Sequence, residues 1–235
     1  MMQALLFDCD GVLVDTERDG HRVAFNKAFA AKGLATEWSV VRYGELLTTA
    51  GGKERMIRHF DETGWPVPAA GKDALIKDLH KLKTELFMRI VESGGLPLRP
   101  GIARIVDEAI AAGLKLAVCS TSNERAVQGV VDVLLGPARA KHLPVFAGDM
   151  VAKKKPDPGI YLLAKDRLGL DAPRCVVVED SDNGLRAAKA AGMRCLVTVS
   201  SYTAGEDFAT ADRVIADLDG PPRITLADCR ALIGR

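Results

Sequence analysis

The sequence has no apolar run near the ~20 residues that a membrane-spanning helix needs. Nor does it carry a basic, hydrophobic leader, because acidic residues begin at Asp8. A helical membrane span is thereby excluded, and no secretory leader is expected. Net charge is almost absent too: 32 Lys and Arg against 31 Asp and Glu leave +1. No global field points to nucleic acid or to a membrane surface, so any anionic ligand must be held by a local arrangement. Cysteines are few, at 9, 119, 175, 195 and 229, with no CxxC pair and no zinc-like spacing with histidine. Such an odd, scattered set fits reduced thiols in a cytoplasmic protein. Cys119, Cys175 and Cys195 lie in apolar runs and read as small core residues. Internal repeats and low-complexity tracts are missing.

What is present is enough apolar material for a large core: 48% of 235 residues are hydrophobic. Short runs rich in Val, Leu and Ile recur at "ALLF", "LKLAVCS", "PVFAGD", "RCVVVED", "MRCLVTVS" and "DRVIADL". Near-continuous apolar runs of this kind fit strands buried on both faces of a parallel sheet. Helical patterns separate them over 101–113, 123–135, 158–168 and 182–192, with glycines at 113, 169 and 192 where helices should end. The alternation predicts an α/β fold with a doubly wound, Rossmann-like parallel sheet. The stretch 17–93 differs, with no strand-like run and four helical patterns, at about 17–32, 37–48, 52–63 and 72–93. It reads as an all-helical cap domain inserted into an α/β core made of 1–16 and 94–235.

The first strand closes into "FDCDGVLVDTE". Residues i and i+2 of an extended chain face one side, so Asp8 and Asp10 should project together. Three more polar clusters fall at expected strand ends: Ser120-Thr121-Ser122-Asn123, the lysines 153–155, and Glu179-Asp180-Ser181-Asp182. Ligands of open α/β sheets bind beyond the carboxyl ends of the strands. Several carboxylates gathered there repel one another unless a cation joins them, and an all-oxygen donor set favours Mg²⁺ with substrate phosphate completing its shell. Lys155 and the Ser120 hydroxyl could hold the other phosphate oxygens. One carboxylate can then attack phosphorus and its partner can carry protons. Taken alone, DxDG fits a calcium-like or solvated turn equally well, and Asp180 or Asp182 could simply cap the following helix.

In order, "DCDGVLVDTE", "VCSTSN", "KKPDPGIY" and "VVVEDSDNGLRAAKAAGM" resemble the four motifs of the haloacid-dehalogenase superfamily. The resemblance covers nearly the whole chain. It implies Asp8 as nucleophile, Asp10 as general acid/base, Ser120 as phosphate ligand and Lys155 as the charge-balancing lysine. It also implies Mg²⁺ held by the Asp8 carboxylate, the Asp10 backbone carbonyl and Asp180, with Glu179 beside the metal. Lys153 and Lys154 are expected to be solvated, and Asp182 to lie at the surface or cap a helix.

In the helical insert, Gly51-Gly52 before a helix leaves backbone N–H groups that could take an anion, backed by Lys53 and Arg55. His80 and Lys83, three apart, share a helix face. A glycine turn and an ordinary basic helix surface fit the same residues. "TAGGKER" and "HKLK" resemble the CbbY family, xylulose-1,5-bisphosphate phosphatases that accompany Rubisco. That likeness implies a small sugar bisphosphate, bound by Glu17, Gly51, Gly52, Lys53, Glu54, His80 and Lys83 together with Ser120, Thr121 and Ser122. "TERDGH" carries one extra residue before its histidine, so no role is carried over to His21. Asp15 is expected to be structural, at the hinge into the cap. The alternatives are a β-phosphoglucomutase-like phosphosugar mutase, which the "AGGKER" stretch argues against, a general sugar-monophosphate phosphatase, and a non-catalytic sugar-phosphate sensor. The sequence sets no oligomeric state and is compatible with a monomer.

Overall fold

The structure is a computed structural model that describes residues 1–234. Two compact units make up the chain: Met1–Asp15 with Pro97–Arg235, and Thr16–Leu96. In chain order the first unit opens with strand β1 (Ala4–Phe7), all four residues buried. The second unit begins with a π-helical turn at Glu17–His21, which runs into α1 (Arg22–Ala31). It continues with α2 (Val40–Leu46), α3 (Gly52–Thr63) and the long α4 (Lys72–Glu92). The chain then returns to the first unit with α5 (Ile102–Ala111), β2 (Lys115–Ser120), α6 (Glu124–Val130), α7 (Pro137–Ala140) and β3 (Val145–Ala147). The remaining elements are α8 (Gly159–Leu168), β4 (Cys175–Glu179), α9 (Asp182–Ala190), β5 (Arg194–Thr198), β6 (Arg213–Ile215) and α10 (Leu226–Ile233).

The six strands form one parallel sheet in the order β3-β2-β1-β4-β5-β6. The order reverses between β1 and β4, the switch point where such sheets open a ligand crevice. The alternation of strand and helix expected from the apolar runs is observed, and helices end at Gly113, Gly169 and Gly192, all with φ between +63° and +76°. Some elements carry no mark in the apolar pattern, among them α7 and the π turn at Glu17–His21. A further helix, α10, follows the last strand, started by Thr225 and Asp228 in a reciprocal capping box. The pattern 123–135 is not one α-helix, because α6 passes into a π turn at Val131–Leu135.

The second unit is all helix and turn, as expected. Its core is aromatic: Phe25, Phe29, Trp38, Tyr43 and Phe60 are each at most 1% exposed. Trp38 sits in the α1–α2 connection, and the Asn26 side chain holds it by accepting from its backbone N–H (2.8 Å) and donating to its carbonyl (2.9 Å). A polar side chain on an otherwise apolar helix face thus satisfies a buried loop backbone.

Candidate active site

Register builds the site. Phe7 pairs with Val118 of β2 on one side and with Val178 of β4 on the other. The next residues along are therefore Cys119, Asp8 and Glu179, side by side, and the Asp8 N–H continues the ladder by donating to Val178 O (3.0 Å). The three strands end together, so their polar last residues converge beyond the sheet.

Lys155 closes this cluster from the loop before α8. Its ammonium donates to Asp8 Oδ1 (2.7 Å), Glu179 Oε1 (2.6 Å) and Cys119 O (2.8 Å), using all three of its protons. The ammonium also lies 4.9 Å from the Tyr161 ring centroid, within cation–π range. Tyr161 also donates its hydroxyl to Glu179 Oε1. Lys153 is exposed, whereas Lys154 is only partly so and donates to Gly148 O (2.7 Å) and Asp149 (3.1 Å). Lys154 is therefore anchored, not freely solvated.

Asp10 lies in the turn after β1, and the Ser122 hydroxyl donates to its Oδ2. Ser120, almost fully buried, accepts from the Ser122 N–H (3.0 Å) and so shapes the loop after β2. Two glycines permit the close packing. Gly11 has φ +84°, and a β-carbon there would lie 2.0 Å from Asp180 Oδ2. At Gly184, in the first turn of α9, a β-carbon would lie 2.0–2.1 Å from the Glu179 carboxyl. Ser181 is the residue that caps α9, accepting from Gly184 N (3.2 Å), so neither Asp180 nor Asp182 is spent on that role.

Carboxylate oxygens of Asp8, Glu179 and Asp180, all buried, lie within 4.8 Å of one another. Burial is the largest influence on Asp8 and raises its pKa to about 8; Glu179 and Asp10 push the same way against the opposing pull of Lys155. Burial would lower the Lys155 pKa, but Asp8 and Glu179 outweigh it and keep the lysine charged. One ammonium cannot neutralise three buried carboxylates. The donor set is all oxygen, compact and in electrostatic deficit, which suits a hard divalent cation. Burial raises the Cys119 thiol, so it is an inert core group, and Cys9 is equally buried.

Within the helical unit the expected residues do not all gather. Gly52 lies against His80, since a β-carbon on it would meet that ring at 3.3–3.4 Å. Lys83 is buried on the inner face of α4, with its ammonium 2.8 Å from His21 Nδ1 and 4.9 and 5.2 Å from the Phe25 and Phe87 rings. Glu54 folds back over Gly51, whose β-carbon would lie 2.0 Å from its Oε2. Lys53 is partly exposed at the start of α3. Arg55 turns toward the other side of its helix start, to protein acceptors. Its guanidinium donates to Thr49 O (3.0 Å) and Tyr43 OH (3.1 Å) and reaches Glu17 (3.6 Å), because the largely covered Glu17 carboxylate needs a cation. Tyr43 also donates to Glu17. His21, Tyr43 and Tyr161 were not marked by any spacing rule. The extra residue in "TERDGH" was the available signal for His21: the π turn absorbs it and delivers the imidazole into the unit's core, where it is 2% exposed.

Comparison with known proteins bears on the family and the fold. Residues 2–192 match the family model described as haloacid dehalogenase-like hydrolase. A CBBY-like protein of Arabidopsis thaliana is 57% identical, over 98% of this chain and 74% of the relative. Protein CbbY of Cereibacter sphaeroides is 47% identical, over 94% of this chain and 95% of its own length. Among solved structures, CbbY from Rhodobacter sphaeroides in complex with phosphate is similar with a TM-score of 0.88 and 43% identity, covering 97% of this chain and 99% of that one. A mutant of the same CbbY in complex with xylulose-(1,5)bisphosphate has a TM-score of 0.89 and 42% identity, with the same coverage.

Proposed function

Because the chain belongs to the haloacid dehalogenase-like hydrolases and, among them, to the CbbY family, we propose that it is a Mg²⁺-dependent phosphatase whose substrate is xylulose 1,5-bisphosphate. The observation that carries the catalytic part is the buried Lys155 ammonium, which joins Asp8 to Glu179 beside Asp180. The substrate part rests on the relative solved with that sugar bisphosphate.

The Asp8 carboxylate attacks phosphorus, the bond from phosphorus to the sugar oxygen breaks, and the electron pair leaves on that oxygen. Asp10, hydrogen-bonded to Ser122, donates the proton that makes the departing oxygen a hydroxyl. Water then attacks the aspartyl phosphate, Asp10 takes the water's proton, and inorganic phosphate leaves with Asp8 restored. Lys155 keeps Asp8 oriented and offsets charge through both steps. Ser120 and the loop through Thr121 and Ser122 orient the phosphoryl oxygens. Mg²⁺, held by Asp8, Asp180 and the Asp10 carbonyl with Glu179 alongside, would supply neutralisation of the charge building on the transferred group.

For the second phosphate the helical unit offers Gly51, Gly52, Lys53 and His80, with Lys83 and His21 behind them and Glu17 available for sugar hydroxyls. Lys53→Ala tests this reading directly. Loss of one charge-assisted hydrogen bond should lower kcat/KM on xylulose 1,5-bisphosphate by about 10- to 150-fold, while a pentose monophosphate is far less affected. Equal losses on the two substrates would leave only a general sugar phosphatase.

A further inference from the structure

Arg99 stands two residues into the returning segment of the first unit, in "LPLRPG", outside every motif considered so far. Among the described residues its guanidinium meets no carboxylate; it is spent on backbone carbonyls and, more distantly, on the Thr198 hydroxyl (3.4 Å). Nη1 donates to Gly11 O and to Thr198 O (3.0 Å), and Nη2 donates to Val199 O (2.7 Å) and Ala216 O (2.6 Å). The Arg99 backbone N–H adds a bond to Leu13 O (2.8 Å). One residue therefore grips the turn after β1 at two points and ties it to the ends of β5 and β6.

Both objects it grips touch the acidic cluster. Gly11 follows Asp10 and packs directly on the Asp180 carboxyl, with no room for a β-carbon between them. Thr198 pairs with the strand that carries Glu179 and sets its hydroxyl 3.4 Å from Glu179 O. Carbonyls drawn together from three loops would repel one another without a donor, and guanidinium is the side chain that can satisfy several at once in a fixed plane.

We propose that Arg99 is a positioning residue for phosphoryl transfer, holding the Asp8–Asp10 turn in register with the Glu179–Asp180 loop. The inference rests on the phosphatase reading above. Because Arg99 touches neither nucleophile nor proton carrier, its removal should leave substrate affinity alone and lower the chemical step. A displacement near 1 Å of reacting groups costs about 10²-fold in rate, so Arg99→Ala should lose kcat on that scale with KM little changed.

The test uses Arg99→Ala and Arg99→Lys with xylulose 1,5-bisphosphate and, separately, p-nitrophenyl phosphate as probes. Activities are normalised to the folded fraction from circular dichroism. Guanidinium chloride at about 50 mM, far below the molar range that unfolds proteins, should restore Arg99→Ala by about tenfold, comparable with one charge-assisted bond, and leave wild type unchanged. Lysine, a single point donor, should recover only part of the loss and gain nothing from the ion. Folded Arg99→Ala with wild-type kcat, or a loss confined to stability that guanidinium cannot rescue, would overturn the inference. If Arg99→Ala does not fold, wild-type kcat in Arg99→Lys overturns it equally. Failure of the wild-type protein to release phosphate from either probe would instead overturn the phosphatase reading, so the two failures are distinguishable.

Discussion

Replacing Lys155 by methionine keeps most of the apolar stem, one atom shorter, and removes the charge, leaving Asp8 and Glu179 buried with no cation between them. In the native protein Lys155 is 6% exposed and its ammonium sits 2.7 and 2.6 Å from the two carboxylates. Deleting one member of a buried ion pair costs about 3–5 kcal/mol, because the remaining charge is uncompensated. For a chain of this size each kcal/mol moves the melting temperature by about 2–4 °C, which gives a fall of about 6–20 °C. The pH dependence has a definite sign. With Asp8 raised to about 8 by burial, the metal-free folded chain keeps a proton that the unfolded chain loses near pH 4. Stability therefore falls as pH rises from about 4 to about 8 and then levels off. Without Lys155 the Asp8 pKa climbs further, so the variant goes on losing stability above pH 8 while the native protein does not. Thermal melts in EDTA from pH 6 to pH 9 should show a deficit that widens at the alkaline end. A variant melting within about 2 °C of wild type throughout, less than 1 kcal/mol, would refute the reasoning.

Gly184→Ala puts a methyl group 2.0–2.1 Å from the Glu179 carboxyl. It should cost about 1–3 kcal/mol by overpacking and abolish most phosphate release, read by thermal melt and phosphate assay; a fully active, equally stable variant would show that Glu179 can move freely. Asp212 is partly buried, yet donors from Lys189 (2.8 Å), Cys195 N (2.7 Å) and Arg194 (2.9 Å) outweigh burial and hold its pKa below the usual aspartate value. Its contribution is present above the unfolded pKa near 4 and is lost as pH falls through the lower folded value. Asp212→Asn should therefore cost on the order of 2 kcal/mol in urea denaturation at pH 7, and the deficit should shrink toward pH 2.

The α/β alternation was readable because strands buried on both faces leave unbroken apolar runs, and "ALLF", "RCVVVED" and "MRCLVTVS" are such runs. The convergence of Asp8, Lys155, Glu179 and Asp180 was also readable, since each polar group stands at the end of one of those runs or in the loop that follows. Partners one layer out left no such mark. Arg99 donates to carbonyls, and backbone acceptors have no residue identity to read. Tyr161 lies in α8 like any core aromatic until the fold brings Glu179 to its hydroxyl. In the helical unit, spacing placed His80 and Lys83 on one face, but the turn of α4 buries Lys83 and leaves His80 half-covered beside Gly52. The π turn at Glu17–His21 altered the register that spacing assumes, and the Glu17 carboxylate, largely covered, took Arg55 as its partner.

The central claim is that Asp8 forms a covalent bond to the phosphoryl group of a sugar bisphosphate. The most direct measurement is phosphate release from xylulose 1,5-bisphosphate with Mg²⁺, comparing wild type with Asp8→Asn under conditions where both are shown to be folded. Wild type should release one phosphate per sugar bisphosphate and the variant none, because an amide does not attack phosphorus. Sustained release by Asp8→Asn would contradict that claim.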